Sequence, residues 1–188
     1  SSSTLVVAIV AAFVEWLDLP LGNYDIAHLS YEIERVDLGF IGGKQDQYAT
    51  TYGGLNIIKF RPNGNTLVER ITNKKVINFL KENLIIINTG IRKDNNIVLR
   101  EQKKNIKKGK IFFEHLRFMK NSVFDFKSAL LKRDIKVCGE ILHENWKKKK
   151  ELAKRIANKK INEIYEDALT SGALGGKILG AGGRGYLM

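Results

Sequence analysis

Gly42-Gly43-Lys44-Gln45-Asp46-Gln47-Tyr48 is the most informative stretch of this 188-residue sequence. Two consecutive glycines ahead of a lone aspartate predict a tight turn, because glycine adopts backbone conformations that other residues avoid. A core strand or a surface helix does not require such a turn, and loops on a rigid scaffold often carry functional side chains. We therefore take Asp46 as a candidate functional residue.

The residues on either side of this stretch predict two helices and a hairpin. Apolar residues at helical spacing predict a helix over 4–17 that is buried on most sides. A second helix is predicted from near Asn23 or Asp25, and its inner stripe would hold Ile26, Leu29 and Ile33. Two apolar runs, 54–60 and 66–71, are joined by a segment with Asn63-Gly64, which is typical of a hairpin turn.

The rest of the chain reads as mostly helical, and we expect a domain boundary near Thr72 or Asn73. A short helix is predicted over 74–80, and the apolar run 84–87 predicts a strand buried on both faces. Helical patterns then continue to about residue 166, with breaks predicted near Gly109, 120–121 and 157–160. The glycine-dense segment 172–188 predicts a loop followed by a strand.

A net charge of +12 raises the question of a nucleic-acid partner. The positive charge is concentrated in two runs, 103–110 and 147–160, whose helical patterns favour lysines on a solvated face. No aromatic residue is interleaved with the lysines of 147–150, whereas three phenylalanines lie near the other run. The sequence therefore argues against nucleic-acid binding, and a basic nucleic-acid-binding module is kept as an alternative.

Cysteine content and hydropathy indicate the compartment. Cys138 is the single cysteine, which predicts a reducing cytoplasmic setting without an internal disulfide. The apolar segment 5–14 is shorter than the roughly 20 residues of a membrane span and runs into Glu15, so we expect no membrane anchor. The sequence opens on serines without an initiating methionine, and we expect a fragment of a longer protein.

Three groups of residues suit phosphate chemistry. Ser1-Ser2-Ser3 stands at the start of a predicted helix, where free N–H groups favour anions, although serines also simply cap helices. Glu34 could bind magnesium, but by itself it belongs to a charged helix end and would be taken for a surface residue. The glycines of 175–185 alternate with apolar residues, which favours close backbone approach over a flexible linker.

Together these motifs resemble the GHMP kinase superfamily of small-molecule kinases. Ser1-Ser2-Ser3 is similar to the end of its phosphate loop, Gly43-Lys44-Gln45-Asp46-Gln47 to the segment with its catalytic aspartate, and 176–185 to its glycine-rich third motif. Within the superfamily, the run 31–56 and the segment 172–177 are similar to the bacterial D-glycero-D-manno-heptose 7-phosphate kinases. Arg184 departs from the pattern, because it stands where the family usually has glycine.

The resemblance implies ATP and Mg²⁺ as cofactors and a role for each matching residue. Asp46 would be the base or orienting acceptor for the sugar hydroxyl, and Ser2 and Glu34 would bind the magnesium ion. The ATP-binding residues would be Ser1, Ser2, Ser3, Gly180, Gly182 and Gly183. The residues near the sugar phosphate would be Gly43, Gln47, Thr89, Gly90 and Arg92.

The fold that the resemblance implies is α/β and α+β. Residues 1–72 would be the C-terminal part of a ribosomal protein S5 domain 2-like layer, and 73–188 a ferredoxin-like α+β sandwich, with the ligands in the cleft between them. The expected reaction transfers the γ-phosphoryl of ATP to the anomeric hydroxyl of D-glycero-D-manno-heptose 7-phosphate, in nucleotide-activated heptose biosynthesis. A fucose- or galactose-type kinase of the same superfamily is the alternative, and the oligomeric state is left open.

Overall fold

The computed structural model describes residues 2–90, 95–106 and 109–188, with the backbone alone described at 2, 95 and 96. The chain divides into two compact units, Ser1–Asn73 and Lys74–Met188. Within the described ranges, no helix is both long enough and apolar enough to cross a bilayer.

The first unit contains three α-helices and a hairpin. Its elements are α1 (Ser2–Trp16), α2 (Asn23–Glu32), a π-helical turn (Ile33–Asp37), α3 (Gln45–Tyr52), β1 (Asn56–Phe60) and β2 (Thr66–Arg70). The strands pair antiparallel from Asn56 opposite Arg70 to Phe60 opposite Thr66. The predicted hairpin is thereby confirmed, and Gly64 in its turn has φ +87°, a conformation that favours glycine.

The core of the first unit lies between α1 and α2. Val7 and Val10 of α1 pack with Ile26 of α2, and each buried side chain of this size contributes about 1.5–3 kcal/mol. The opposite face of α1 is exposed, with Leu5, Ile9, Phe13 and Trp16 at 63%, 47%, 48% and 76%. The prediction of a helix buried on most sides was therefore wrong. Apolar residues on every side of the segment predicted a helix correctly, but they did not determine how many of its sides other elements cover.

Asp46 is not in a turn, which corrects the sequence interpretation. Gln45 begins α3, so Asp46 lies in the first turn of a helix, where an acidic side chain interacts favourably with the helix dipole. The left-handed glycines flank the motif instead, at Gly39 (φ +65°) and Gly53 (φ +56°). The helix forms because its inner face buries Gln47 and Tyr48, and the Tyr48 ring contacts Tyr24, Tyr52 and Phe60.

The second unit is mostly helical and carries one small sheet. Its elements are α4 (Lys74–Asn83), β3 (Ile87–Gly90), α5 (Asn95–Ile106), α6 (Lys110–Lys132), α7 (Ile135–Glu151), a 3₁₀ turn (Lys154–Ile156), α8 (Lys159–Thr170) and β4 (Gly185–Leu187). β3 and β4 pair antiparallel, with Ile87 opposite Leu187 and Gly90 opposite Gly185. The core is built around Trp146, Ile156, Ile161 and Ile178, each fully buried.

Two sequence predictions fail in this unit. The strand begins at Ile87, and Ile85 and Ile86 are 74% and 52% exposed, so the run 84–87 is not a strand buried on both faces. The predicted break at 120–121 is also wrong, because α6 continues to Lys132. The chain turns instead at Arg133, in the left-handed region at φ +59°, and Asp134 then caps α7 by accepting from Val137 N.

Candidate active site

Three polar side chains of the first unit form a buried cluster, which we call the polar centre: Ser3, Glu34 and Gln47. Their exposures are 1%, 0% and 0%. Gln47 Nε2 donates to Glu34 Oε2 in a close contact and to Ser3 Oγ at 3.4 Å. Polar groups are costly to bury, so their presence in one cluster indicates a role other than core packing.

The backbone explains how these side chains meet. Ser3 lies in the first turn of α1, Gln47 in the first turn of α3, and Glu34 in the π-helical turn. This turn is closed by the Leu38 N–H donating to Ile33 O at 3.0 Å. π-helical turns are rare and occur frequently at functional sites. Here the turn includes Glu34, which is fully buried although Val36, two residues later, is 66% exposed.

Arg35 is a member of the site that the sequence interpretation did not single out. Its Nη1 lies 4.0 Å from Glu34 Oε1, and its Nε donates to Gly43 O at 3.3 Å. A Cβ at Gly42 would lie 2.7 Å from the Arg35 guanidinium carbon, so Gly42 makes room for the arginine. A basic residue directly after Glu34 was the only local signal for this contact.

Two oxygens of the polar centre fit a cation. Glu34 Oε1 and Gln47 Oε1 are buried without a hydrogen-bond donor among the described residues. Carboxylate and amide oxygens are ligands for hard cations, and magnesium usually takes one or two carboxylates, with phosphate oxygens and water completing its shell. The described part of the chain contains no cluster of three or more His, Cys, Asp or Glu. Within the polar centre, Glu34 supplies the one carboxylate.

Asp46 borders the polar centre but does not belong to it. It is exposed, whereas the next residue, Gln47, is fully buried. Consecutive residues of an α-helix leave its axis about 100° apart, so α3 can turn one side chain inward and leave the other in solvent. Asp46 is therefore accessible to a substrate.

The second unit contains the glycine loop, which we define as residues 180–185. Gly180, Gly182 and Gly183 have φ of +66°, +99° and +81°. A Cβ at Gly182 would lie 2.9 Å from Ile156 Cγ2 and 3.0 Å from Ile156 O. Gly183 N donates to Ile156 O at 2.7 Å. Backbone conformation and close packing on the core thus both require glycine here.

Side chains from three helical regions bind the carbonyl oxygens of the glycine loop and of the residues just before it. Lys149 Nζ donates to Ile178 O at 3.1 Å and to Gly180 O at 2.5 Å. Gln102 Nε2 donates to Ala181 O at 3.2 Å, and Asn158 Nδ2 to Gly183 O at 3.0 Å. The sequence interpretation took the run at 147–160 as solvated. Lys149 stands three residues after the buried Trp146, and that helical spacing was the missed signal.

Thr89 and Gly90 lie against the glycine loop. Thr89 Oγ1 donates to Gly185 O at 3.1 Å, and Gly90 pairs with Gly185 across the sheet. The structure thus brings Ser3, Glu34 and Gln47 together in one unit, and Thr89 and Gly90 with the predicted ATP-binding glycines in the other. Ser1, the Ser2 side chain and Arg92 lie outside the described residues.

Comparison with known families decides the assignment. The model described as GHMP kinases N terminal domain matches residues 1–54, and the model described as GHMP kinases C terminal matches residues 126–188. The chain belongs to the GHMP kinase family. The chain is 38% identical over 187 residues to the D-glycero-alpha-D-manno-heptose 7-phosphate kinase of Campylobacter jejuni. The aligned region covers 99% of this chain and 55% of that protein. It therefore spans about half the length of this relative.

Solved structures confirm the fold class. The chain superimposes with a TM-score of 0.72 and 35% identity on a D-glycero-D-manno-heptose 1-phosphate kinase from Bacteriodes thetaiotaomicron, over 100% of this chain and 50% of the other. The mevalonate kinase of L. major, in complex with R-mevalonate, gives a TM-score of 0.72 at 24% identity, over 100% and 55% of the two chains. The second likeness shows the fold alone.

Proposed function

We propose that the protein containing this GHMP chain is an ATP-dependent sugar kinase that phosphorylates the anomeric hydroxyl of D-glycero-D-manno-heptose 7-phosphate in the cytoplasm. The observation that carries the proposal is the buried Glu34 carboxylate, which has one oxygen without a donor among the described residues and lies in the same unit as the accessible Asp46. Phosphoryl transfer needs charge neutralisation at the phosphates and an acceptor for the hydroxyl proton, and these two acids fit the two tasks.

The substrate rests on the relatives. Both heptose kinases are 35–38% identical to the chain, and their names specify a phosphorylated heptose. The names differ in the position of the phosphate, so the acceptor must be tested directly. The 7-phosphate is preferred because it appears in the name of the relative at 38% identity.

Each side chain has a proposed part in the reaction. Asp46 takes or orients the proton of the anomeric hydroxyl, and Glu34 with a serine hydroxyl at the start of α1 holds Mg²⁺. Bound magnesium neutralises charge on the phosphates of ATP. The serines of 1–3 and the glycine loop are proposed for ATP, and Gly43, Thr89, Gly90 and Arg92 for the sugar phosphate. Residues 1–72 and 73–188 are proposed as parts of the family's N- and C-terminal domains.

The test is Asp46→Asn in the full-length protein. Loss of a positioned acid or base typically lowers turnover about 10²–10⁴-fold, and we expect a loss in this range with little change in the KM for ATP. ATP consumption is measured on a panel of heptose phosphates, fucose and galactose. Asp125→Asn, which removes an exposed carboxylate of α6, is the control. Near-normal turnover of Asp46→Asn on every accepted sugar would show that Asp46 has no catalytic role.

A further inference from the structure

We infer that Gln47 is a positioning residue, which orients the Glu34 carboxylate toward the cation carried by the nucleotide. This revises the sequence prediction that Gln47 contacts the sugar. The inference rests on the proposed function only for the identity of that cation. It concerns the polar centre of Ser3, Glu34 and Gln47.

The geometry leaves Gln47 no surface for a sugar. Its side chain is fully buried, and its amide nitrogen is used by Glu34 Oε2 and Ser3 Oγ. A carboxylate accepts hydrogen bonds and cannot donate them, which fixes the nitrogen of the amide on the Glu34 side. The adjacent exposed residue, Asp46, is the one that a substrate can reach.

Glu34 depends on Gln47 for its orientation. Among the described residues, Gln47 supplies the hydrogen bond to Oε2, whereas Oε1 accepts none. Arg35 stands 4.0 Å from Oε1, a distance too long for a hydrogen bond, and its Nε is used by Gly43 O. Without the amide, Oε2 would lose its hydrogen bond, and the carboxylate would keep only the 4.0 Å ion pair with Arg35.

Loss of the Gln47 amide should lower the affinity of the polar centre for a cation. Groups that hydrogen-bond a metal-binding side chain fix its orientation, and their loss typically costs about 10–100-fold in metal affinity or activity. Gln47 Oε1 is also buried without a donor, so the same side chain presents a second oxygen in the polar centre.

The experiment measures cation binding separately from catalysis. Mn²⁺ binding to the full-length protein is followed by electron paramagnetic resonance, with a non-hydrolysable ATP analogue present. We expect Gln47→Met, which keeps the length but removes the amide, to weaken Mn²⁺ binding about 10-fold. Glu34→Gln is expected to weaken it at least as much, and the double variant no further, because the two residues act as one unit.

A matched control and a kinetic comparison complete the test. Gln45→Met changes an exposed glutamine two residues earlier on α3 and should leave Mn²⁺ binding within twofold. In turnover, Gln47→Met should raise the Mg²⁺ concentration for half-maximal activity about 10-fold without raising the KM for the sugar phosphate. A raised sugar KM with unchanged Mn²⁺ binding would overturn the inference, as would a wild-type protein that binds no Mn²⁺.

The two proposals can fail separately. A wild-type protein that consumes no ATP with any sugar, but loses Mn²⁺ affinity on Gln47→Met, would refute the kinase and leave the positioning role. If Gln47→Met does not fold, the positioning role is tested by the side-chain amide signals of Gln47 in the ¹⁵N spectrum of the wild type. They should shift when Mg²⁺ and the analogue are added and stay unchanged with sugar phosphate alone; a response to the sugar alone would refute positioning.

Discussion

The polar centre and the glycine loop, both assigned to ligand or metal binding by the family resemblance, are built in opposite ways. The polar centre buries two polar side chains beside a carboxylate, and the three residues belong to three different helical segments. In the glycine loop, the backbone packs against Ile156 of the apolar core, and its carbonyl oxygens accept hydrogen bonds from side chains of other segments. The first region is specified by side-chain chemistry and the second by shape.

This difference predicts whether a substitution in each region should change catalysis or stability. Burial of a carboxylate carries a desolvation cost that can exceed the stabilisation from its partners. A glycine with φ between +20° and +160° against a packed core has no substitute of equal shape. Changes in the polar centre should therefore affect catalysis more than stability, and changes in the glycine loop should affect stability first.

Within these two regions, the largest effect is expected from Glu34→Gln. Turnover should fall about 1,000-fold, which is the upper range for loss of one electrostatic partner of the transition state. The free energy of unfolding should not decrease, because the desolvation cost of the carboxylate disappears. Kinetics and urea unfolding are measured on the same preparation, with the exposed Glu15→Gln of α1 as the control. A loss of stability with unchanged turnover would contradict the expectation that the polar centre serves catalysis more than stability.

Gly182→Ala should have the next largest effect, on stability. The new Cβ would lie 2.9 Å from Ile156 Cγ2 at a φ of +99°, and the two penalties together cost about 2–3 kcal/mol. Urea unfolding measures the change. Gly43→Ala is the matched control, because no atom of the described residues apart from its chain neighbours lies within 4 Å of its Cβ position. The free energy of unfolding of this variant should change by less than about 0.5 kcal/mol. Equal losses of stability at Gly182 and Gly43 would show that the close packing and positive φ of Gly182 do not make glycine necessary there.

Asn158→Ala tests the side-chain ties of the glycine loop. Asn158 caps α8 by accepting from Ile161 N at 2.9 Å and also donates to Gly183 O at 3.0 Å. Loss of the cap and of the loop bond should cost about 2 kcal/mol together. Asp134→Ala removes only a cap, at the start of α7, and should cost about 1 kcal/mol. If thermal unfolding shows the two variants to be equal, the bond to Gly183 contributes nothing.

The smallest effect is expected at an exposed ion pair, where burial plays no part. Lys147 Nζ donates to Glu144 Oε1 at 2.8 Å, and this bond lowers the pKa of Glu144. A lowered carboxyl pKa stabilises the fold above its ordinary range, and the contribution is lost as pH falls through the folded-state value. Lys147→Ala should cost about 0.3 kcal/mol at pH 7 and nothing at pH 2. Urea midpoints of Lys147→Ala and of the exposed Lys136→Ala are compared; a pH-independent difference would exclude the pair as its cause.

The sequence by itself determined several of the local elements and the family. Helical spacing predicted α1, α2 and α4, and Asn63-Gly64 predicted the hairpin turn. The motif with Asp46 and the terminal glycines identified the family. These features depend on residues close together in the chain, because helix periodicity and turn chemistry act over a few positions.

Only the tertiary structure decided which side chains are buried together. Ser3 and Gln47 are 44 residues apart, and no local pattern relates them. The exposed Ile85 and the inward Lys149 likewise reverse their local hydropathy, since burial depends on which neighbours cover a position. Glu34 was expected on the surface when taken alone, but a π-helical turn places it in the polar centre. Local chemistry fixes the elements, whereas the free energy of burial is set by contacts between distant parts of the chain.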